Sequence, residues 1–235
     1  MPIEASKTHH IPDQARLWDK QHSSRGNFGL EATQLRDVPN SSAIEFIGKF
    51  GHNIRANILE VGSANGRDAR FWASLGHNVI CVDFSPVALN QLKEIAIRQN
   101  VDSRLYPVCY DINTGNLPGA YGFIINGFYS RSSLHVNDEK MLSIAQKINN
   151  TVEHEGLILI EGKGEKDKKI QRSKLIGNHL VIDPDEGGHI RRVWTRESLV
   201  ELCSEFNWTI ESLEDREESL NGESTNFVRL IARKP

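Results

Sequence analysis

Glu60, Gly62, Ser63, Ala64, Gly66 and Asp83 are the residues whose types and spacing could do chemistry. The first five lie in Ile58-Leu-Glu-Val-Gly-Ser-Ala-Asn-Gly-Arg-Asp-Ala-Arg-Phe71, which reads as a buried strand, a tight glycine turn and the start of a helix. Asp83 ends Val79-Ile-Cys-Val-Asp83, a second apolar strand closed by an acid. A strand–glycine turn–helix–strand–acid unit is how α/β folds hold an adenosine-containing cofactor: the glycines let backbone approach the ligand, and the acid accepts hydrogen bonds from ribose hydroxyls. A dinucleotide fingerprint needs glycine at its first, third and sixth positions. Here those positions hold Gly62, Ala64 and Arg67. Arg67 stands where the helix must pack closest to the strand, so that fingerprint fails, and a nicotinamide-dependent oxidoreductase loses its main support.

These residues need a frame, and the chain supplies one. Asn57 to Val61 reads as strand one, and the helix from about Gly66 to Leu75 ends at Gly76, as helices do at a C-terminal glycine. Strand two is Asn78 to Val82, and Ser85-Pro86 supplies a cap and a first-turn proline for a helix to about Gln99. Leu105 to Tyr110 reads as strand three, Tyr121 to Asn126 as strand four after the turn-rich 113–119, and Gly156 to Glu161 as strand five. The unbroken apolar run of strand five suits a central parallel position. Helices are expected from Ser41 or Ser42 to about Phe50, from Asp138 to about Val152, and from a Thr195 cap to about Phe206. Trp208 to Leu213 and Asn226 to Ala232 close the chain as two strands. Strand–helix alternation of this kind gives an α/β, doubly wound, mostly parallel sheet with helices on both faces.

Two segments fall outside this pattern. Residues 1–40 are polar and read as an N-terminal arm or lid, in which Trp18 either anchors the arm or closes over the cofactor. Residues 162–193 show no clean period, and a segment of that length inside a compact domain reads as a lid insertion in the domain spanning 41–235.

Bulk properties narrow the function. The chain has 235 residues, a formal net charge of −3 and a pI near 6.3, with no basic face of the kind that a duplex binder carries. Lys163 to Lys174 is basic but interrupted by Glu165 and Asp167, which suits a solvated loop. Cys81, Cys109 and Cys203 have no metal-ligand spacing and read as reduced thiols of a cytoplasmic protein. No signal peptide is expected, and no run approaches the roughly 20 apolar residues needed to span a bilayer. Asp183, Asp185 and Glu186 form an acidic cluster that fits a solvated turn better than a metal site, so no metal is expected.

Glu60-x-Gly62-x-Ala64-x-Gly66 resembles the first motif of the class I S-adenosylmethionine (SAM) methyltransferases, acid-x-Gly-x-Gly-x-Gly, with Ala64 in place of the middle glycine. The final strand pair is similar to the antiparallel hairpin ending the seven-stranded sheet of that family. The resemblance implies that Glu60 orients the loop or binds the cofactor's amino group. Gly62, Ser63, Ala64 and Gly66 would line its methionine and ribose side, with Asp83 on the ribose and Phe84 on adenine. Asp111 and Ile112 would recognise the adenine amino group, and Asn126 would lie close to the methyl centre.

Three further segments are Phe128-Tyr129-Ser-Arg131-Ser-Ser-Leu-His135, Ile160-Glu161-Gly-Lys163-Gly-Glu-Lys-Asp167 and Gly187-Gly-His189-Ile-Arg191-Arg192-Val-Trp194. They resemble segments of methyltransferases associated with bacterial and viral surface polysaccharides. That resemblance implies methyl transfer to a sugar hydroxyl of a surface glycan or its precursor, either plain, phosphorylated or nucleotide-linked. A hydroxyl is a poor nucleophile near neutral pH and needs a base, for which His135 and His189 are candidates, with Glu161 or Asp167 orienting the imidazole or acting instead. Tyr129, Arg131, Lys163, Arg191, Arg192 and Trp18 would hold the substrate, the arginines gripping a phosphate or carboxylate. A small metabolite with a nitrogen or carboxylate acceptor, and a SAM-binding module without catalysis, stay open as alternatives.

Overall fold

The structure, a computed structural model, describes residues 13–26, 38–50, 55–112, 122–131, 134–183, 187–220 and 223–235. A seven-stranded sheet runs in the order β3-β2-β1-β4-β5-β10-β9. Its strands are β1 (Asn57–Val61), β2 (Asn78–Asp83), β3 (Leu105–Cys109), β4 (Ile125–Ser130), β5 (Val152–Lys163), β9 (Thr209–Leu220) and β10 (Glu223–Arg233). The first five are mutually parallel, whereas β10 runs antiparallel to both β5 and β9. This is the mostly parallel, doubly wound sheet with a terminal antiparallel pair that the alternation and the resemblance predict.

Strand alternation sends successive side chains to opposite faces, and each face is covered by helices. On one face Ile58, Val79 and Cys81 pack with Phe46 of α2 (Ser41–Gly48), Trp72 of α3 (Arg67–Ser74) and Leu92 of α4 (Pro86–Arg98). On the other, Leu59, Val61, Ile80 and Val82 join Met141 and Ile144 of α5 (Asp138–Thr151) and Leu199 and Leu202 of α7 (Arg196–Phe206). Local chemistry starts these helices. The Ser85 hydroxyl accepts from Ala88 N at 3.2 Å with Pro86 in the first turn, Asn137 accepts from Lys140 N at 3.0 Å, and Thr195 and Ser198 form a reciprocal capping box.

Strand four is a correction. Tyr-Gly-Phe-Ile-Ile-Asn attracts a strand assignment through its aromatic and β-branched residues, yet β4 begins at Ile125 and runs to Ser130. Packing overrides propensity here. A Cβ on Gly127 would lie 2.8 Å from the ring tips of both Phe46 and Phe50, so only glycine lets α2 sit this close. Tyr121 and 113–119 lie outside the described residues.

The segment 162–193 is built rather than irregular. After β5 come α6 (Lys168–Arg172) and a three-stranded antiparallel sheet of β6 (Lys174–Gly177), β7 (Leu180–Asp183) and β8 (His189–Arg192). Strands of four residues are too short to print a period on the sequence. From the N-terminal segment the structure describes Asp13 onward and α1 (Gln14–Gly26), which packs on α4 and reaches β8. Gln14 fixes that end: its amide donates to Gly188 O at 3.1 Å, and its oxygen accepts from Ile190 N at 2.9 Å. No helix among the described residues is long and apolar enough to cross a membrane.

Candidate functional site

The carboxyl ends of β1, β2 and β3 lie side by side, with Val61 level with Val82 and Asp83 level with Cys109. The loop after β1 takes left-handed backbone at Gly62 (φ 77°), Ala64 (φ 49°) and Gly66 (φ 70°). Gly66 admits no side chain, because a Cβ there would lie 2.5 Å from Leu92 Cδ1. Ala64 adopts a conformation that favours glycine, and its N–H donates to Asp83 Oδ2 at 2.9 Å. The other Asp83 oxygen accepts from Ser85 N at 2.9 Å. Asp83 thus ties the two loops together at the edge where ligands of open α/β sheets bind. Burial raises its pKa, and the backbone N–H groups of Ser85 and Ala64 work against that rise.

Unsatisfied buried groups mark the same place. Glu60 Oε2 and Ser63 Oγ are buried with no hydrogen-bond partner among the described residues. Burial first, then the charge of Asp68, pushes the Glu60 carboxyl well above the usual carboxylate range. Groups of this kind cost free energy unless a partner arrives. A ligand carrying an ammonium and hydroxyls, as SAM does, would supply donors to Glu60 and Asp83, so the residues present fit that cofactor. Phe84 is half-buried beyond β2, while Asp111 and Ile112 follow β3, bringing all three to this edge. Asn126 goes elsewhere. It sits near the start of β4, where it accepts from Asn57 N at 2.7 Å and its amide bonds Glu153, at the end of the sheet remote from the loop. Its expected place by the methyl centre followed from the misplaced strand.

A second cluster lies under α1. Trp18 stacks on His135 with ring centroids 5.4 Å apart and meets His189 edge-on at 4.7 Å, with the Arg191 guanidinium 5.9 Å from its ring. His135 keeps some open surface, but its ring lies beneath Trp18. Burial, then the charges of Arg191 and His189, pushes its pKa down to about 3. Trp18 Nε1 and His135 Nδ1 are buried and unbonded among the described residues.

Other expected substrate or base residues are occupied in holding the fold. Tyr129 is in the core: its hydroxyl donates to Asp68 Oδ2 at 2.9 Å, and its ring packs against Phe46 and Trp72. Glu161 is fully buried between Arg131 Nε and Arg229 Nε, and Arg229 also reaches Glu45 at 2.8 Å and Ser41 at 3.2 Å. Asp167 caps α6 through Lys169 N and Ile170 N and accepts from Lys163 at 2.5 Å and Thr225 at 2.6 Å. Arg192 donates to Val136 O at 3.0 Å and Asp138 at 2.6 Å, tying β8 to α5. Among the described residues no group of three His, Cys, Asp or Glu is arranged to hold a metal; Asp185 and Glu186 lie outside them.

Arg229, Asp68 and Asp19 were missed by reasoning from sequence. Arg229 gave a signal as a charge inside an apolar strand pattern, whereas nothing local marked the other two. Asp19 of α1 accepts from the Ser85 hydroxyl at 2.5 Å, beside Asp83.

A glycine-loop cofactor cleft at the carboxyl edge of a β3-β2-β1-β4-β5-β10-β9 sheet defines the class I SAM-dependent methyltransferase fold. The comparisons agree with that fold. Residues 51–167 match the family model described as Tellurite resistance protein TehB. Among solved structures the chain is similar to TehB from Haemophilus influenzae, at 17% identity over 83% of this chain and 62% of that one, with a TM-score of 0.64. The chain therefore spans less than two thirds of that protein's length. It is similar to the CcbJ methyltransferase from Streptomyces caelestis at 15% identity, covering 95% of this chain and 99% of that one (TM-score 0.66). It is also similar to the Burkholderia thailandensis 1,6-didemethyltoxoflavin-N1-methyltransferase, whose structure holds 1,6-didemethyltoxoflavin and S-adenosylhomocysteine, at 15% identity over 99% and 93% of the two chains (TM-score 0.65). No curated protein matches the chain.

Proposed function

We propose that the protein is a SAM-dependent methyltransferase acting on a hydroxyl of a small polar acceptor, with a sugar of a surface glycan or its precursor as the substrate class. The observation that carries this reading is the joining of two sites by one helix. α1 bonds the cofactor edge through Asp19 and, one residue earlier, roofs a cluster of two imidazoles and a guanidinium with Trp18. An indole face suits the C–H face of a sugar ring, and Arg191, whose Nε lies 3.7 Å from Asp183 Oδ2, has further guanidinium donors that suit a phosphate or carboxylate. SAM supplies a methyl group on a sulfonium, ready for in-line displacement. What this chain must do is bind and orient both reactants, keep water out and accept one proton.

Proton acceptance is assigned to His189. Glu161 and Asp167 hold cations, and a His135 whose pKa is near 3 is a weak base, better suited to hydrogen-bonding a substrate hydroxyl through Nδ1. A cytoplasmic location belongs to the same reading, supported by the free thiols Cys81, Cys109 and Cys203. The weak basicity of His135 also favours a second reading, a small metabolite methylated on nitrogen, which needs less help from a base. The deciding experiment is transfer of labelled methyl from SAM to nucleotide sugars, short glycans and amine-bearing metabolites, with His189→Gln alongside wild type. The first reading expects a hydroxyl product and a large loss of turnover in His189→Gln. Transfer only to nitrogen, indifferent to His189, would replace it with the second.

A further inference from the structure

We infer that Asp19 is a cofactor-binding residue, a second carboxylate that α1 delivers to the ribose side of the cleft next to Asp83. The inference rests on the SAM reading above and adds to it a residue from outside the glycine loop and the acid of β2.

The geometry begins with what Asp83 already does. Both of its oxygens hold backbone N–H groups, Oδ2 that of Ala64 and Oδ1 that of Ser85, each at 2.9 Å. Its remaining lone pairs lie in a residue that is only 8% exposed. A ribose brings two adjacent hydroxyl donors. Asp19 stands one hydroxyl away, with its Oδ1 accepting from the fully buried Ser85 Oγ at 2.5 Å. Ser85 therefore touches both acids: its N–H donates to Asp83, and its O–H donates to Asp19.

The placement of Asp19 is fixed by α1 as a whole rather than by one surface contact. Gln14 clamps the start of the helix to Gly188 and Ile190, and Gln91 of α4 donates to His22 O at 3.2 Å one turn beyond Asp19. Trp18 lies over His135 and His189. Bringing a second carboxylate beside a buried first one is unfavourable by itself, since each acid opposes ionisation of the other. Donor hydroxyls entering between them offset that repulsion.

The test is calorimetric binding of S-adenosylhomocysteine and its 2′,3′-dideoxy analogue to wild type, Asp19→Asn and Gln14→Ala. Asparagine keeps a partner for Ser85 but loses the charge that strengthens a hydroxyl contact, so Asp19→Asn should bind S-adenosylhomocysteine roughly 10-fold more weakly or worse. It should bind the dideoxy analogue as wild type does. Gln14→Ala loosens the helix that places the carboxylate and should weaken S-adenosylhomocysteine to a smaller degree, again leaving the dideoxy analogue as in wild type. Equal affinity of wild type and Asp19→Asn for S-adenosylhomocysteine would overturn the inference, as would equal weakening of both ligands by Asp19→Asn. Neither outcome disturbs the cofactor reading, which fails separately if wild type binds neither ligand.

Discussion

Replacing Glu161 by Gln isolates a fully buried charge arrangement. Glu161 and Arg229 are both 0% exposed, and Arg131, at 18%, closes the other side of the carboxylate. Each carboxylate oxygen takes one guanidinium Nε. Glutamine can accept from one arginine only, and its amide turns N–H donors toward the other. Removing one member of a buried ion pair costs about 3–5 kcal/mol, because the partner is left charged and desolvated. Glu45, with its side chain 31% exposed, and Ser41 still hold Arg229, so the lower end applies. A loss of about 3 kcal/mol in a chain of this size lowers the midpoint of thermal unfolding by roughly 6–12 °C. The assay is paired thermal and urea unfolding, with methyl transfer measured well below the lowered midpoint. A structural carboxylate predicts large destabilisation and near-normal turnover in the folded fraction. A loss under about 1 kcal/mol, the range of solvated pairs, would refute the burial argument. Turnover abolished at unchanged stability would return Glu161 to the role of base that its sequence position suggests.

Three other outcomes rest on the same kind of packing. His135 has a pKa of about 3 in the fold and about 6.5 unfolded, so its neutral form adds stability that is complete above pH 6.5 and is lost as pH falls toward 3. Relative to His135→Gln, wild type should lose up to about 2 kcal/mol between pH 7 and 5 in denaturant titrations, and parallel pH profiles would contradict this. Gly66→Ala forces a side chain at φ 70° against Leu92 and should cost roughly 2–4 kcal/mol along with most SAM affinity, read by unfolding and calorimetry. Tyr129→Phe removes a hydroxyl bonded to Asp68 and Ser42 and should cost about 1.5–3 kcal/mol while leaving acceptor KM unchanged; a raised KM would mean that the hydroxyl reaches substrate after all.

The glycine loop and the acid that ends β2 were legible because their causes are local. A turn that needs positive φ selects glycine at 62 and 66, and an acid ending an apolar strand stands out without knowledge of the fold. The acceptor half was not, because the role of a side chain there depends on strand limits and distant partners. With strand four ending at Asn126, Tyr129 falls in a loop and reads as substrate-binding; with β4 running to Ser130, the pleat turns it into the core beside Trp72. Likewise Lys163, Glu161 and Asp167 read as a reactive segment until β10 brings in Thr225, Asn226 and Arg229, about sixty residues later, as their partners. Charged residues in a motif carry no mark of whether they face a cleft or each other.

Where the polar groups are satisfied therefore separates frame from site better than residue type does. Around β5 and β10 the charges are saturated: Asp167 has Lys163, Thr225 and three backbone amides, and Glu161 has two arginines. Such an arrangement holds position and has nothing left to offer a ligand. Along the carboxyl edge of β1 and β2, and beneath α1, the balance reverses. Glu60 Oε2, Ser63 Oγ, Trp18 Nε1 and His135 Nδ1 are buried without partners among the described residues. A buried donor or acceptor without a partner costs free energy, and a bound molecule that completes it removes that cost. Their division into two groups, one on the glycine loop and one under Trp18, matches the two reactants of a group transfer, with Asp19 on the helix that spans them.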